Sequence, residues 1–543
     1  DNLYYAAVCR QRADWLIGMN LSRLYSVIYK QNLKCGRVQT PTVNLIVTRQ
    51  REINEFIAQT YYSIIADLGS FKAQTRAETL DDANTILIHC NGKKATVLLV
   101  EKQNKKENAT ALYDLTMLQR DANRIFGYSA QQTLDYMQKL YDNKLATYPR
   151  TDSRYITSDQ KSSTLDLINK LLSSNIYDDN IVSKYHVDNI CIQQIINDKK
   201  VTDHHAILPT KNVNQDTLNS LPSGERNILI LVMYRLLSAV YLPFLYTATK
   251  VTLDIDGIPF TAAGKEINQA GFKIIETYIQ SIAGSGIAKT NEENILPSLE
   301  QNALLDVLHV SSEERKTKPP KPYTEDTLLS AMETAGKKLD NEELREAMKD
   351  SGLGTPATRA SIIENIIKTG YIKRDGKKLQ PTMKAISFSD IVTEKIKEPT
   401  LTAEWEKQLA NIQKGNLSPK DFMSDITGFI QSFVEDTKSS YNPDQAQTTF
   451  SDDKKVIGIC PKCGQKVIEY PKTYLCESGK DGCGFTIWKS IAKKTITTPQ
   501  AEKLLKTKKT GLIKGFTSKA GKPFNAFLIL KDDHSVGFEF PQK

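Results

Sequence analysis

The apolar residues change period four times over residues 1–437, and the order of those changes limits the architecture more than composition does. Residues 1–56 have helical spacing, clearest over 6–24 and 41–55. Residues 57–122 switch to alternation, with strands expected at 62–66, 85–90 and 95–100. Residues 123–245 return to helix, clearest over 130–140, 158–172 and 228–240. Residues 246–315 alternate again: 247–255, a turn at Asp256-Gly257, then 260–263. Strand, helix, strand in that order is most economically one β domain interrupted by a helical insertion. Residues 316–437 open on a proline-stiffened linker (316–322) and continue as helices with one hairpin. A polar stretch, 438–454, reads as a second linker. It leads to a cysteine-bearing module, 455–495, and a basic β module, 496–543.

Charge and cysteine follow the same divisions. The net charge of +9 is uneven. From Lys454 to Lys543 there are 18 Lys, no Arg and 7 acidic residues, or +11, which leaves −2 for the first 453 residues. A basic appendage on a near-neutral body suits a polyanionic partner, or a lysine-rich surface kept for solubility. No apolar run reaches the ~18 residues of a membrane span, no secretory signal is visible, and the chain begins at Asp1 rather than Met. Cys9, Cys35, Cys90 and Cys191 are scattered in apolar or mixed contexts and read as free thiols, which fits a reducing cytoplasm.

The other four cysteines cluster as Cys460-x2-Cys463-x12-Cys476-x6-Cys483. A two-residue knuckle points two thiolates at one ion, and a following hairpin supplies two more. Four sulfurs suit a closed, structural Zn2+ site, although the six-residue gap exceeds the usual two to four. Tyr474, Phe485 and Trp488 beside them can stack on nucleobases or fill a small core.

With 23 tyrosines, a lone Tyr carries no information. The informative run is Thr147-Tyr148-Pro149-Arg150-Thr151-Asp152-Ser153. Pro149 pushes Tyr148 towards extended backbone, where Tyr148 and Arg150 share a face. A phenol is about 0.1% ionised at neutral pH. A guanidinium beside a phosphodiester neutralises it and favours the charge that develops on attack. Asp152 can orient Arg150. Among six histidines, only His204 and His205 adjoin, and a His near a phosphodiester can shuttle a proton. Adjacent side chains diverge, so one of the two is expected at the site. A half-buried strand-end tyrosine and an interior histidine are the bland alternatives.

Five separated motifs, in this order, resemble the type IA DNA topoisomerases, most closely the bacterial topoisomerase III branch. They are Arg12-Ala-Asp14-Trp15-Leu-Ile-Gly18-Met-Asn20-Leu-Ser-Arg23, Gly36-Arg37-Val38-Gln39-Thr40-Pro41, the Tyr148 segment, His204-His205-Ala206-Ile207, and Gly352-Leu-Gly354-Thr355-Pro356-Ala357-Thr358-Arg359-Ala360. The Leu401-Thr402-Ala403-Glu404-Trp405-Glu406 segment also matches, and the resemblance covers residues 1 to 437.

That resemblance implies a multidomain α+β fold: a toroid of helical domains plus an interrupted β arch, with a C-terminal zinc ribbon and small β module. Residues 1–56 and 316–437 would be the helical gate base, 57–122 and 246–315 the arch, and 123–245 the insertion with the nucleophile. The implied reaction is ATP-independent single-strand cleavage through a 5′-phosphotyrosyl bond, then strand passage and religation, relaxing or decatenating DNA. Tyr148 is implied as nucleophile, Arg150 as the contact to the scissile phosphate, and His204 as the aid to the leaving or returning oxygen.

The implied DNA contacts are Arg12, Asp14, Asn20 and Arg23 on the first helix and Lys34, Cys35, Gly36, Arg37, Val38 and Gln39 in the next loop. Thr151, Asp152, His205 and Arg359 complete them. On residues alone, the helix set is also a plain solvated face, and the 355–378 region is first a winged-helix-like unit. The implied partners are DNA, chiefly single-stranded, and a helicase or replication–recombination machinery, for a monomer at the bacterial nucleoid.

Type IA enzymes also carry an acidic Toprim domain for Mg2+ ahead of the first motif. Its absence here implies that this chain alone does not relax DNA. Asp254-Ile-Asp256-Gly257 is no substitute, because Asp256-Gly257 is a hairpin turn. Rival readings are a non-catalytic single-stranded-DNA-binding remnant and another tyrosine-nucleophile strand transferase. A relaxase needs a His-hydrophobe-His cluster, and a recombinase carries its Tyr late.

Overall fold

A computed structural model describes residues 1–174, 176–183, 185–282, 294–349, 352–441, 456–470, 472–479, 482–518 and 520–541. They form two compact units, Asp1–Ser22 with Lys34–Ile430, and Arg23–Leu33 with Gln431–Lys543.

In the first unit, helices α1 (Asn2–Ile28, through Ser22) and α2 (Gln39–Asn54) precede a seven-stranded sheet. Its strands are β1 (Thr60–Asp67), β2 (Lys72–Ala77), β3 (Lys94–Glu107), β4 (Phe244–Ile255), β5 (Ile258–Gln269), β6 (Leu304–Asp306) and β7 (His309–Lys316). The order is β6-β3-β4-β5-β2-β1-β7, so one sheet draws strands from both sides of the helical segment. Ile64, Ala66, Val97, Val251, Leu253 and Phe260 point to its buried face. The β4–β5 turn places Asp256 and Gly257 at φ 54° and 83°, the conformation a two-residue hairpin needs.

The stretch 85–90, expected as a strand, belongs to helix α3 (Leu80–Cys90). Its cap decides this. Thr79 accepts the Asp82 amide, Asp81 and Asp82 sit in the first turn, and Ala83 and Cys90 face the sheet. Local alternation loses to a capped amphipathic helix.

The helical insertion leaves at the end of β3 and returns at the start of β4, where Glu107 pairs with Phe244. It therefore replaces a hairpin turn, and two adjacent strand ends carry it. Its boundaries are nearer 108 and 243 than 123 and 245. Helix α4 (Leu115–Phe126), which the 122/123 division cuts, buries Leu118 and Ala122 in the same core as Met137, Leu140, Ile156, Leu229 and Leu236. Helix α5 (Ala130–Asp142) follows, started by a Ser129–Gln132 capping box. Helix α6 (Lys161–Ser173) and the buried helix Ser223–Ala239 complete the frame.

The remainder of this unit is helical, with one hairpin of β8 (Ile372–Asp375) and β9 (Lys378–Pro381). Helix Pro356–Lys368 begins on Pro356 at its first position and ends at Gly370, φ 79°.

Helix Pro419–Ser439, of which the part from Gln431 on belongs to the second unit, reaches into the stretch expected as a linker, and residues 442–454 of that stretch lie outside the described residues. A four-stranded sheet runs β10 (Val456–Ile459), β11 (Lys466–Glu469), β12 (Thr473–Cys476), β13 (Thr486–Trp488). A three-stranded sheet of Ile513–Thr517, Pro523–Leu530 and Val536–Glu539 follows helix Thr498–Thr507. The two modules expected at 455–495 and 496–543 share one core, in which Tyr474, Phe485 and Ile487 meet Leu504, Phe516 and Leu528. No helix among the described residues is long and apolar enough to cross a membrane.

Candidate active site

After α5 the backbone reverses at Lys144, φ 59°, and runs extended beside residues 204–210. Thr147 ties the two segments together. Its amide donates to the Leu208 carbonyl at 2.9 Å, and its hydroxyl accepts the Leu208 amide at 2.9 Å. Four residues on, the Thr151 hydroxyl donates to the His204 carbonyl at 3.1 Å, and the Thr151 carbonyl accepts the Leu115 amide. Pro149, Thr151 and Ser153 are buried, while Arg150 and Asp152 are exposed and Tyr148 is half-buried. This is the alternation an extended segment gives. Tyr148 therefore sits between two threonine anchors.

The rings of Tyr148 and His204 lie 4.5 Å apart, tilted by 44°. His205 turns away, with Nδ1 2.7 Å from the Ala206 carbonyl oxygen, which commits that nitrogen to donating. Of the adjacent pair, only His204 packs on the tyrosine ring. Arg150 makes no ion pair among the described residues. Tyr148, Arg150 and His204 thus share one exposed rim.

Behind the rim lies a charged network that the sequence reading missed. Arg154 donates to Asp114 at 2.5 Å and to Glu333 at 2.8 Å. Asp114 also caps α4 through the Met117 amide. Burial raises the Asp114 carboxyl, and Arg154 only partly offsets it. Arg120 adds a 2.8 Å bond to Asp326. Arg359, expected as a DNA contact, is 1% exposed and bonds the Thr116 hydroxyl at 2.9 Å. Burial lowers its pKa against the pull of Glu333 and Asp114. It joins the insertion to the following helices instead of facing solvent.

The loop after α1 is similarly interior. Cys35 is buried, and its amide donates to Ser22 at 2.8 Å. Lys34 is exposed, but its backbone exchanges hydrogen bonds with the Tyr371 hydroxyl. Arg37 is 6% exposed; it bonds Asp14 (2.8 Å) and Glu406 (2.8 Å) and lies over the Trp405 ring at 5.6 Å. Its carbonyl accepts the Thr402 hydroxyl. The expected phosphate grip at Arg37 therefore gives way to a structural pairing, because two carboxylates already hold the guanidinium. Gly354 approaches the Val38 side chain, where a Cβ would come within 3.4 Å. Three of the five separated motifs and the Leu401–Glu406 segment converge here. Gly36 and Val38 are half-buried, and the buried Gln39 Nε2 has no acceptor among the described residues. Arg12 and Asn20 are exposed on α1, and Asp14 is half-buried against Arg37. Arg23 lies in the second unit and is exposed.

In the second unit, the sulfurs of Cys460, Cys463, Cys476 and Cys483 all lie within 4.8 Å of one another. A tetrahedron with ~2.3 Å bonds places sulfurs about 3.8 Å apart, so the four fit one ion. The Gly464 amide closes the knuckle on the Cys460 carbonyl. The six-residue gap is taken up by a turn in which the Cys483 amide donates to Ser478 and the Gly479 amide to the Cys476 carbonyl. A Cβ at Gly482 would come 2.4 Å from the Ser478 carbonyl oxygen. Tyr474 and Phe485 are core, whereas Trp488 is 54% exposed.

A family profile described as DNA topoisomerase matches residues 1–424, and one described as the C-terminal repeat of topoisomerase matches residues 482–541. Among curated relatives, "DNA topoisomerase 3" of Bacillus cereus is 36% identical over 544 residues, spanning 96% of this chain and 72% of the relative. The protein of the same name in Bacillus subtilis is 35% identical over 512 residues, 91% and 68% of the two chains. The solved full-length topoisomerase I of Thermotoga maritima superposes with TM-score 0.62 at 22% identity, covering 91% of this chain and 76% of that one. The last likeness speaks to fold alone.

Proposed function

This chain belongs to the type IA DNA topoisomerases, close to DNA topoisomerase 3, and on that premise we propose that Tyr148 is the nucleophile that opens one DNA strand. The Tyr148 hydroxyl gives its proton to solvent water as its oxygen attacks a backbone phosphorus; an O–P bond forms to tyrosine, the bond from phosphorus to the 3′ oxygen breaks, and the phenolate takes a proton back from water on religation. His204 donates a proton to the departing 3′ oxygen and takes it back when that hydroxyl reseals the strand. Arg150 neutralises the phosphate under attack. One phosphoester replaces another, so bond energy is retained in the enzyme–DNA link and no nucleotide is spent.

The observation that carries this reading is the 4.5 Å packing of His204 on Tyr148, with exposed Arg150 two residues along the same extended segment. Single-stranded DNA is the form we assign as substrate: exposed Trp488 offers an unpaired base a stacking face. Zn2+ is the ion we assign to the four cysteines, as a structural cross-link.

Mg2+ is expected for the family. Among the described residues, the only group of three or more His, Cys, Asp or Glu able to share an ion is that thiolate set, which suits a soft metal, so no step is routed through Mg2+. The test is relaxation of negatively supercoiled circular DNA by the complete protein. Topoisomer ladders are expected from the parent and none from Tyr148→Phe. Relaxation that survives Tyr148→Phe would remove Tyr148 from the role.

A further inference from the structure

The Tyr148 ring makes a second aromatic contact besides the one to His204. Helix α5 buries Met137 and Leu140 in the core of the insertion, which turns the next residue, Tyr141, outward at the last turn. The chain then reverses at Lys144 and returns past the helix end. Seven residues after Tyr141, the Tyr148 ring meets it edge-on, centroids 5.4 Å apart and planes at 76°. This is the favourable orientation, the positive edge of one ring against the negative face of the other.

Tyr141 is 40% exposed, so its ring is not fixed there by burial. Its hydroxyl makes no hydrogen bond among the described residues. The contact engages the ring and leaves the hydroxyl unused.

We propose that Tyr141 is a positioning residue for the nucleophile, its ring and that of His204 confining the Tyr148 phenol to one direction of approach. A phenol free to turn about its side-chain bonds would spend most of its time away from the in-line path. Confinement raises the fraction of bound complexes poised to react. An aromatic pair of this geometry corresponds to about 2- to 13-fold in a rate constant. The inference rests on Tyr148 being the nucleophile.

The test is single-turnover cleavage of a 3′-labelled single-stranded oligonucleotide by the complete protein, with DNA affinity measured in parallel. Tyr141→Ala is expected to slow formation of the protein–DNA adduct about 2- to 13-fold with DNA affinity unchanged. Tyr141→Phe keeps the ring and is expected to restore the rate to within about twofold. An unchanged rate in Tyr141→Ala would overturn the inference. So would a rate loss matched by loss of affinity, or a Tyr141→Phe variant as slow as Tyr141→Ala. Tyr148→Phe run alongside separates the two levels: an adduct formed by that variant sinks the nucleophile assignment itself.

Discussion

The imidazole of His204 lies 4.5 Å, centroid to centroid, from the phenol of Tyr148, and the hydroxyls that fix the pair belong to their neighbours. Thr147 holds Leu208 and Thr151 holds the His204 carbonyl. Thr151→Val keeps the shape and removes the hydroxyl, which also accepts the Ser153 amide. A stability loss of about 1–3 kcal/mol is expected, from a buried amide left without its acceptor. Cleavage should slow more than DNA binding weakens. Denaturant unfolding and single-turnover cleavage read the two effects separately.

Glu406 closes a different network, with both oxygens on Arg10 at 2.5 Å and one on Arg37 at 2.8 Å. Burial would raise its carboxyl, but the two guanidinium groups outweigh that and hold it below the usual carboxylate range. A depressed folded pKa stabilises the protein above the unfolded value of about 4.3 and loses that contribution as pH falls through the folded value. Parent stability should therefore drop steeply in acid, and Glu406→Gln should flatten that limb of the pH profile. Glu406→Ala leaves a buried guanidinium half-compensated by Asp14. It should cost towards the lower end of about 3–5 kcal/mol in thermal or denaturant unfolding.

Arginines at the expected DNA contacts should separate by exposure. Replacing exposed Arg12 with Ala should reduce the slope of log affinity against log salt by about one charge equivalent. Buried Arg359→Leu should leave that slope unchanged and cost about 1–3 kcal/mol of stability instead. Salt titration of oligonucleotide binding distinguishes them.

The cysteine cluster and the C-terminal strands share a core, so ion removal should not be a local event. Chelation under reducing conditions is expected to speed amide exchange in β10–β13 and also in Pro523–Leu530. Exchange confined to the knuckle would contradict the shared core, and unchanged exchange would contradict a structural ion.

Much of this was legible in the sequence because local chemistry and tertiary context agree. The Tyr148 segment is extended because Pro149 forbids helix before it, and the Asp256-Gly257 hairpin announces itself. Where they disagree, pattern misleads. Residues 85–90 alternate like a strand, yet the Thr79 cap and the acidic first turn make them helix. Arg37 and Arg359 read as phosphate contacts because Arg is the residue for that task. Glu406, Asp14 and Thr116, distant in sequence, hold them inside. Tyr141 carried no signal among 23 tyrosines, since only the reversal at Lys144 brings it onto Tyr148. The Asp114–Arg154–Glu333 network was hidden for the same reason: its members lie 40 and 179 residues from Arg154.

The proposed reaction links Tyr148 to the 5′ phosphate of a cut strand. The direct measurement incubates the complete protein with 3′-labelled single-stranded DNA, denatures it, digests it and identifies the labelled peptide by mass. The label is expected on the peptide containing Tyr148, with a 5′-phosphotyrosyl bond, and no labelled peptide is expected from Tyr148→Phe. Label on any other residue, or on the 3′ side of the break, would contradict it.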